Sequence, residues 1–377
     1  MTTDIPGHAP RKPRGVLFLG TWAVALITAY LILGAYSIDC VTNFRNEANQ
    51  RHKDRLDPLH NEAHLTQPVE LVSGVESPTV EVGLYLDYLS GLSLDNATWS
   101  PNFYLWFRWA DERLHPGESF RILGGQIEEK QLIEETTQGP VHYARYFVRA
   151  TLSKNFSVSL FPVEQHLMTI AIEDSKAKLK ELRYRPDVGH SNLSSRAHFS
   201  GFRVVDFKLV EKPHSYRTNF GETEPSAAAG DMVTHDEVIL GVTIERKGYG
   251  LYIKYFLGLF SATLIALIAF FIKPTDVDPR FGLGVGGFFG AVANALLSDN
   301  FVGQAESLSF IDIINGIGLF TIFLSIVEST VSLYLYDIRG QRQLARSLDR
   351  LSAVILGVGF LVLIGVLPIL ARWNGSG

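Results

Sequence analysis

From Gly15 to Tyr36 the chain runs 22 residues without a charged side chain. As a helix such a run spans about 33 Å and can cross a bilayer core of about 30 Å. Four more apolar stretches come late in the sequence, at 251–272, 281–297, 310–336 and 351–370. Segments this long and this apolar are constrained to lie across a membrane as helices, where each satisfies its own backbone hydrogen bonds. A signal peptide carries an apolar core of only about 7–15 residues, so 15–36 is read as an uncleaved anchor. Composition agrees: 46% hydrophobic and 19% charged residues with a net charge of −5 exclude a disordered chain, and leave no basic field for nucleic acid. The lone cysteine, Cys40, excludes an intramolecular disulfide and any cysteine-rich metal site.

Basic residues orient the spans. Arg11, Lys12 and Arg14 precede the first; Lys273 and Arg280 flank the 273–280 connection; Arg339, Arg342, Arg346 and Arg350 crowd the 337–350 connection. The connection 298–309 has neither Lys nor Arg. Basic residues in short loops mark the cytoplasmic side. The expectation is a cytoplasmic N-terminus at 1–14, a plasma-membrane location with the bilayer as a partner, and residues 37–250 outside. Residues 37–68 are polar and read as a linker or short helix. Within them His60 and His64 flank Glu62 at helical spacing, a pattern that a polar linker explains without a metal.

Segment 69–250 reads as β structure. Runs rich in β-formers lie at 79–88, 102–109, 141–152, 167–172, 201–210 and 237–244, with a Gly-, Pro-, Ser- and Ala-rich loop over 213–236. Many short strands with turn signals between them predict a β-sandwich. The fold class is therefore α+β: an anchor helix, an outer β-sandwich, and a four-helix transmembrane bundle over 251–371. No nucleophile elbow, P-loop or paired catalytic signature occurs, so neither an enzyme nor a cofactor is expected.

Three patterns in order along the chain resemble the pentameric ligand-gated ion channels, the Cys-loop receptor superfamily. Trp109-Ala110-Asp111-Glu112-Arg113-Leu114 is similar to that family's W-x-D-x-R-L signature. Phe161-Pro162-Val163-Glu164 is close to its F-P-F-D at the membrane-facing loop. Ile244-Glu245-Arg246 then leads from a β region directly into four apolar stretches. The family's two loop cysteines would fall at Lys154 and Met168, so the chain resembles a prokaryotic, bacterial member with an added N-terminal helix. The proline usual in the first channel helix is missing, and so is the tryptophan-proline-aspartate pattern after Leu114.

The resemblance implies roles. Phe161, Pro162, Glu164 and Arg246 would form the coupling loop, with Glu164 paired to Arg246 or Lys247. Trp109, Asp111 and Arg113 would alternate onto one strand face as fold determinants, an Asp–Arg pair braced by tryptophan. Matching Arg280 to the family's basic residue at the inner pore end puts Asp278, Gly282, Gly286, Phe289, Ala293 and Leu296 on the pore-lining face. Phe289 would be the gate, a ring of five phenyl groups closing the pore by dewetting. Asp278 would give a carboxylate ring favouring cations, with Arg280 nearby acting against it. Gly282, Gly286 and Gly290 read equally well as a small-residue face for close helix packing. Tyr104, Tyr216 and Phe220 are the ligand-binding candidates, for an unknown small molecule held between subunits. The implied function is a homopentameric channel for inorganic ions. The rival is a non-conducting membrane sensor or transport-accessory protein with the same sandwich.

Overall fold

A computed structural model of the chain describes residues 14–58, 77–94, 96–179, 181–216, 218, 220, 233–302 and 308–372. His60, Glu62 and His64, and most of the 213–236 loop, lie outside the described residues. The protein is mixed α/β and divides into two compact units. One holds Met1–Asn46, Val158–Glu164 and Gly248–Gly377; the other holds Glu47–Ser157 and Gln165–Lys247.

Among the described residues five helices are long and apolar enough to cross a membrane, at Gly15–Leu56, Gly250–Phe271, Val277–Leu297, Phe310–Ile338 and Arg342–Arg372; the last four and the first as far as Asn46 lie in the first unit. They belong to α1 (Arg14–Leu56), α3 (Gly250–Ile268), α4 (Val277–Val302), α5 (Phe310–Leu333) and α6 (Arg342–Arg372); α2 (Pro116–Ser119) is a single turn in the other unit. A capping box opens α5: Asp312 accepts from the Ser309 backbone at 2.8 Å, while the Ser309 hydroxyl accepts from the Asp312 backbone. This satisfies two backbone donors that the helix itself leaves open. Several polar groups inside the unit find partners across helices. The Tyr30 hydroxyl meets Thr321 Oγ1 at 2.7 Å, Trp22 Nε1 donates to Ser352 Oγ at 3.0 Å, and Asn294 donates to Asn315 at 3.1 Å. The Tyr30 ring lies so close over Gly359 that a β-carbon there would stand 2.8 Å from it.

One boundary differs from the sequence expectation. Residues 37–56, read as linker or short helix, continue α1 without a break. Extending a formed helix adds one hydrogen bond per ordered residue, whereas starting one is costly, so polar residues prolong the anchor. Pairs at four-residue spacing help: Gln50 donates to Asp54 at 2.7 Å and Arg51 pairs with Glu47 at 3.8 Å.

The second unit is built on two sheets. One has the order β4-β5-β2-β1-β7 with β8 paired to β1; the other has the order β3-β6-β10-β9. The strands are β1 (Thr79–Ser93), β2 (Thr98–Trp109), β3 (Phe120–Ile122), β4 (Gly125–Gln138), β5 (Val141–Ser153), β6 (Gln165–Asp174), β7 (Arg183–Pro186), β8 (Asn192–Leu193), β9 (Phe202–Tyr216) and β10 (Val233–Arg246). Both sheets feed one hydrophobic core, in which Phe103, Leu105 and Phe107 of β2 join Val238, Leu240 and Val242 of β10. Side chains alternate across a strand, so Tyr104, Trp106 and Arg108 of β2 fall on its other face. Strand β4 was not expected from sequence. Its residues are exposed almost throughout, so neither face leaves an apolar period to read. Salt bridges to β5, Glu134–Arg145 at 2.9 Å and Glu129–Arg149 at 3.2 Å, tie this charged edge strand in place.

Candidate functional site

A cleft with a volume of about 510 Å³ lies on the face of β1, β2 and β5 turned away from the core. Volumes of this order suit small-molecule ligands. Tyr85 and Tyr104 stand opposite each other on β1 and β2, and Trp106 pairs with Gly83. Glycine at 83 lets the indole lie flat on the strand: a β-carbon there would come 2.1 Å from the Trp106 ring. The ring is held from its edge, since Trp106 Nε1 donates to Asp187 Oδ2 at 3.1 Å. His190 Nδ1 meets the other oxygen, Asp187 Oδ1, at 2.7 Å. Burial alone would raise the Asp187 carboxyl, but hydrogen bonds from His190 and Trp106 outweigh it and leave the group below its ordinary value. Tyr143, Arg108 and Arg145 complete the cleft, with Arg108 paired to Glu81 at 2.5 Å. Aromatic faces beside two guanidinium groups suit a ligand with an apolar body and a charged group.

Of these residues only Tyr104 was named from sequence. The signal was present in Asn102-Phe103-Tyr104-Leu105-Trp106-Phe107-Arg108, where the apolar members alternate with a second, polar and aromatic set. Gly83→Val is expected to lift Trp106 off the strand and break its bond to Asp187. Overpacking of this kind costs about 1–3 kcal/mol, read as a lower unfolding midpoint with a red-shifted tryptophan emission.

Tyr216 and Phe220 are elsewhere, at the end of β9. Their rings meet edge-on at 5.1 Å, and Phe220 is exposed with φ of 54°. The Tyr216 hydroxyl donates to Glu173 Oε1 at 2.9 Å and accepts from Arg121 Nη2 at 3.0 Å. Burial, with Glu173 next to it, pushes the Tyr216 phenol up to about 12. His214 Nδ1 meets Glu173 Oε2 at 3.0 Å, and that hydrogen bond raises the imidazole above its usual 6.5 against the opposing effect of burial. A raised histidine gives stabilisation that is complete below its unfolded value and lost as pH rises through its folded value. The wild type should therefore exceed His214→Gln in unfolding midpoint at pH 5.5, and the gap should close as pH rises, when thermal melts are compared.

The signature residues form their pair in another geometry than expected. Strand β2 ends at Trp109, so Asp111 and Arg113 sit in the following turn rather than on a strand face. There Arg113 Nη2 donates to Asp111 Oδ2 at 2.6 Å and the Arg113 backbone to Oδ1 at 3.0 Å, which holds the Asp111 carboxyl down at about 2. Trp109 stacks on His142, with ring centroids 5.5 Å apart.

The loop 158–164 joins β5 to β6 in sequence but is part of the helix-bearing unit. Phe161 meets Tyr255 edge-on at 5.0 Å, and the Ser159 carbonyl accepts from the Phe310 backbone at 2.8 Å. Pro162 and Glu164 are buried. Arg246 belongs to the other unit, with its guanidinium 4.1 Å over the Phe202 ring.

Along α4, Asp278, Gly282, Gly286, Phe289, Ala293 and Leu296 are all exposed in the single chain. The buried stripe is Arg280, Gly284, Gly287, Ala291 and Asn294, which faces α3 and α5. Close packing uses this second set together with Gly290: a β-carbon on Gly287 would stand 2.7 Å from the Ala262 carbonyl and one on Gly290 3.2 Å from the Ala262 β-carbon, while one on Gly282 or Gly286 would meet nothing. Arg280 turns away from Asp278 and is fully buried. Its guanidinium bonds to Asp349 Oδ1 at 2.6 Å, Glu328 Oε2 at 3.2 Å and the Ile272 carbonyl at 3.0 Å, tying α4 to α5, α6 and the end of the preceding span. No protein-family model matches the sequence, and no curated protein matches it.

Proposed function

We propose that the chain is one subunit of a homopentameric ligand-gated ion channel of the kind its motifs resemble. In this reading the two-sheet unit is a β-sandwich outside a bacterial inner membrane, α3 to α6 form the channel bundle, and α4 of five subunits lines a cation pathway. The observation that carries it is the division of α4. The six positions expected to line a pore are exposed in the single chain, and the opposite stripe is buried against the chain's own helices. One chain offers no path for ions, and symmetry supplies one by bringing identical exposed faces around an axis. Cation preference is supported by Arg280, whose charge is taken up by Asp349 and Glu328, leaving Asp278 as the charge of that exposed face near the inner end.

A ligand between subunits fits the placement of the candidates. Tyr104 lies on the face of one sheet turned away from the core, and Tyr216 on the corresponding face of the other, which suits a site completed by a neighbouring copy rather than within one chain. Loop 158–164, continuous with β5 and β6 and seated on Tyr255 and Phe310, suits transmission from strands to helices. The test is particle symmetry of the purified protein together with ion flux in liposomes. Five-fold particles that pass cations support the channel, and stable monomers or dimers would refute it. Five-fold particles silent to every ligand tried would favour the non-conducting sensor.

A further inference from the structure

From Glu47 onward α1 belongs to the sheet-bearing unit. It is held there at three points. Arg55 Nη1 pairs with Glu237 Oε1 at 3.2 Å, Lys212 Nζ donates to the Asp54 carbonyl at 2.8 Å, and Leu56 packs so close to Gly241 that a β-carbon would stand 2.8 Å away. Between this part of α1, the segment after β5 and the start of β6 lies a cleft of about 180 Å³. Three cations line it, Arg51, Arg55 and Lys154, together with His52 and His166; among the described residues no carboxylate does. Arg51 is steadied by a hydrogen bond from Nη2 to Ser157 Oγ at 3.2 Å.

Glu237 holds Arg55 from outside the cleft, and Glu47 pairs with Arg51 on its exposed side. Lys154 has the opposite surroundings. Desolvation first, and then the charges of Arg55 and Arg51, hold its ammonium below the ordinary lysine value. Three converging cations repel one another, and a compact anion among them removes that penalty. Guanidinium forks match tetrahedral oxygens, while an ammonium adds a point charge. The space equals roughly six water molecules, which is too little for a drug-sized ligand but enough for one tetrahedral group.

We propose that this cleft binds a phosphate-class oxyanion through Arg51, Arg55 and Lys154. The group is supplied either by a free phosphate or by the headgroup of an anionic phospholipid. The site is independent of whether the chain conducts ions.

The full chain in detergent is titrated with inorganic phosphate at constant ionic strength, following its unfolding midpoint. A parallel arm places the protein in phosphate-free nanodiscs of phosphatidylglycerol or of phosphatidylcholine. The wild type is expected to gain midpoint with phosphate, and Lys154→Gln and Arg51→Gln to need roughly tenfold to a hundredfold more, as the loss of one charge-assisted bond implies. Lys208→Gln, exposed on β9, should titrate as the wild type does. A gain in phosphatidylglycerol over phosphatidylcholine that vanishes in Lys154→Gln identifies the lipid source; a gain with phosphate alone identifies the soluble one. Arg51 is half exposed, so Arg51→Gln still decides the matter if Lys154→Gln fails to fold. If the wild type responds to neither probe, or if both variants respond as the wild type does, the site is overturned.

Discussion

Arg280→Met will destabilise the helix-bearing unit by about 3–5 kcal/mol, because it leaves the buried Asp349 carboxylate, and Glu328 beside it, without the guanidinium that bonds to both. Arg280 and Glu328 side chains are wholly buried and Asp349 is 7% exposed, so water cannot take over the guanidinium's part. The loss should read as a lower unfolding midpoint in detergent and a lower yield of assembled protein. Neutralising the acids in the same background, as Arg280→Met with Glu328→Gln and Asp349→Asn, should recover much of it, since an uncharged set has no stranded ions. A midpoint for Arg280→Met within a degree of the wild type would mean that the three side chains are not coupled. The triad also makes a geometric demand: rotating α4 to bring Arg280 to the exposed face would break bonds to two other helices at once.

If five copies of α4 line a pore as proposed, Phe289→Ser should raise basal ion flux without ligand by roughly tenfold or more, equivalent to about 1.4 kcal/mol of barrier. Dewetting depends on the radius and polarity of the constriction, and five substituted rings change both. Phe288→Ser is the control. The two rings touch edge-on at 6.1 Å, but Phe289 is 65% exposed in the single chain and Phe288 only 38%. The neighbouring substitution, about 100° around the helix, should disturb packing without opening a path. Flux in liposomes at matched oligomer content separates a gate from a leak. If the wild type conducts and Phe289→Ser is silent, the pore register is wrong and Gly282, Gly286, Ala293 and Leu296 lose their role with it.

Much of the architecture is legible in the sequence because it is written in short-range pattern. Five apolar runs specify five helices whatever surrounds them, since a helix in lipid satisfies its backbone from within. Runs of β-formers along 102–109 and 237–244 mark strands, the second buried on both faces over 237–242, and the Asp111–Arg113 pair forms between residues two apart. The six exposed positions of α4 follow from helical spacing alone once one of them is placed.

What remained hidden depends on partners distant in the chain. Strand β4 has no apolar period because its place is set by bonding to β5, not by burial. The direction of Arg280 was decided by Asp349, 69 residues away, and the seat of Trp106 by Asp187, 81 residues away. The cationic cleft joins α1 to residues about a hundred positions later, and Arg51 and Ser157 carry no mark in sequence of standing together. Local periodicity determines which elements form and which faces they bury. Charge placement across elements, and therefore the cleft, the buried triad and the oxyanion site, is decided only when the folded chain brings those faces within hydrogen-bond reach.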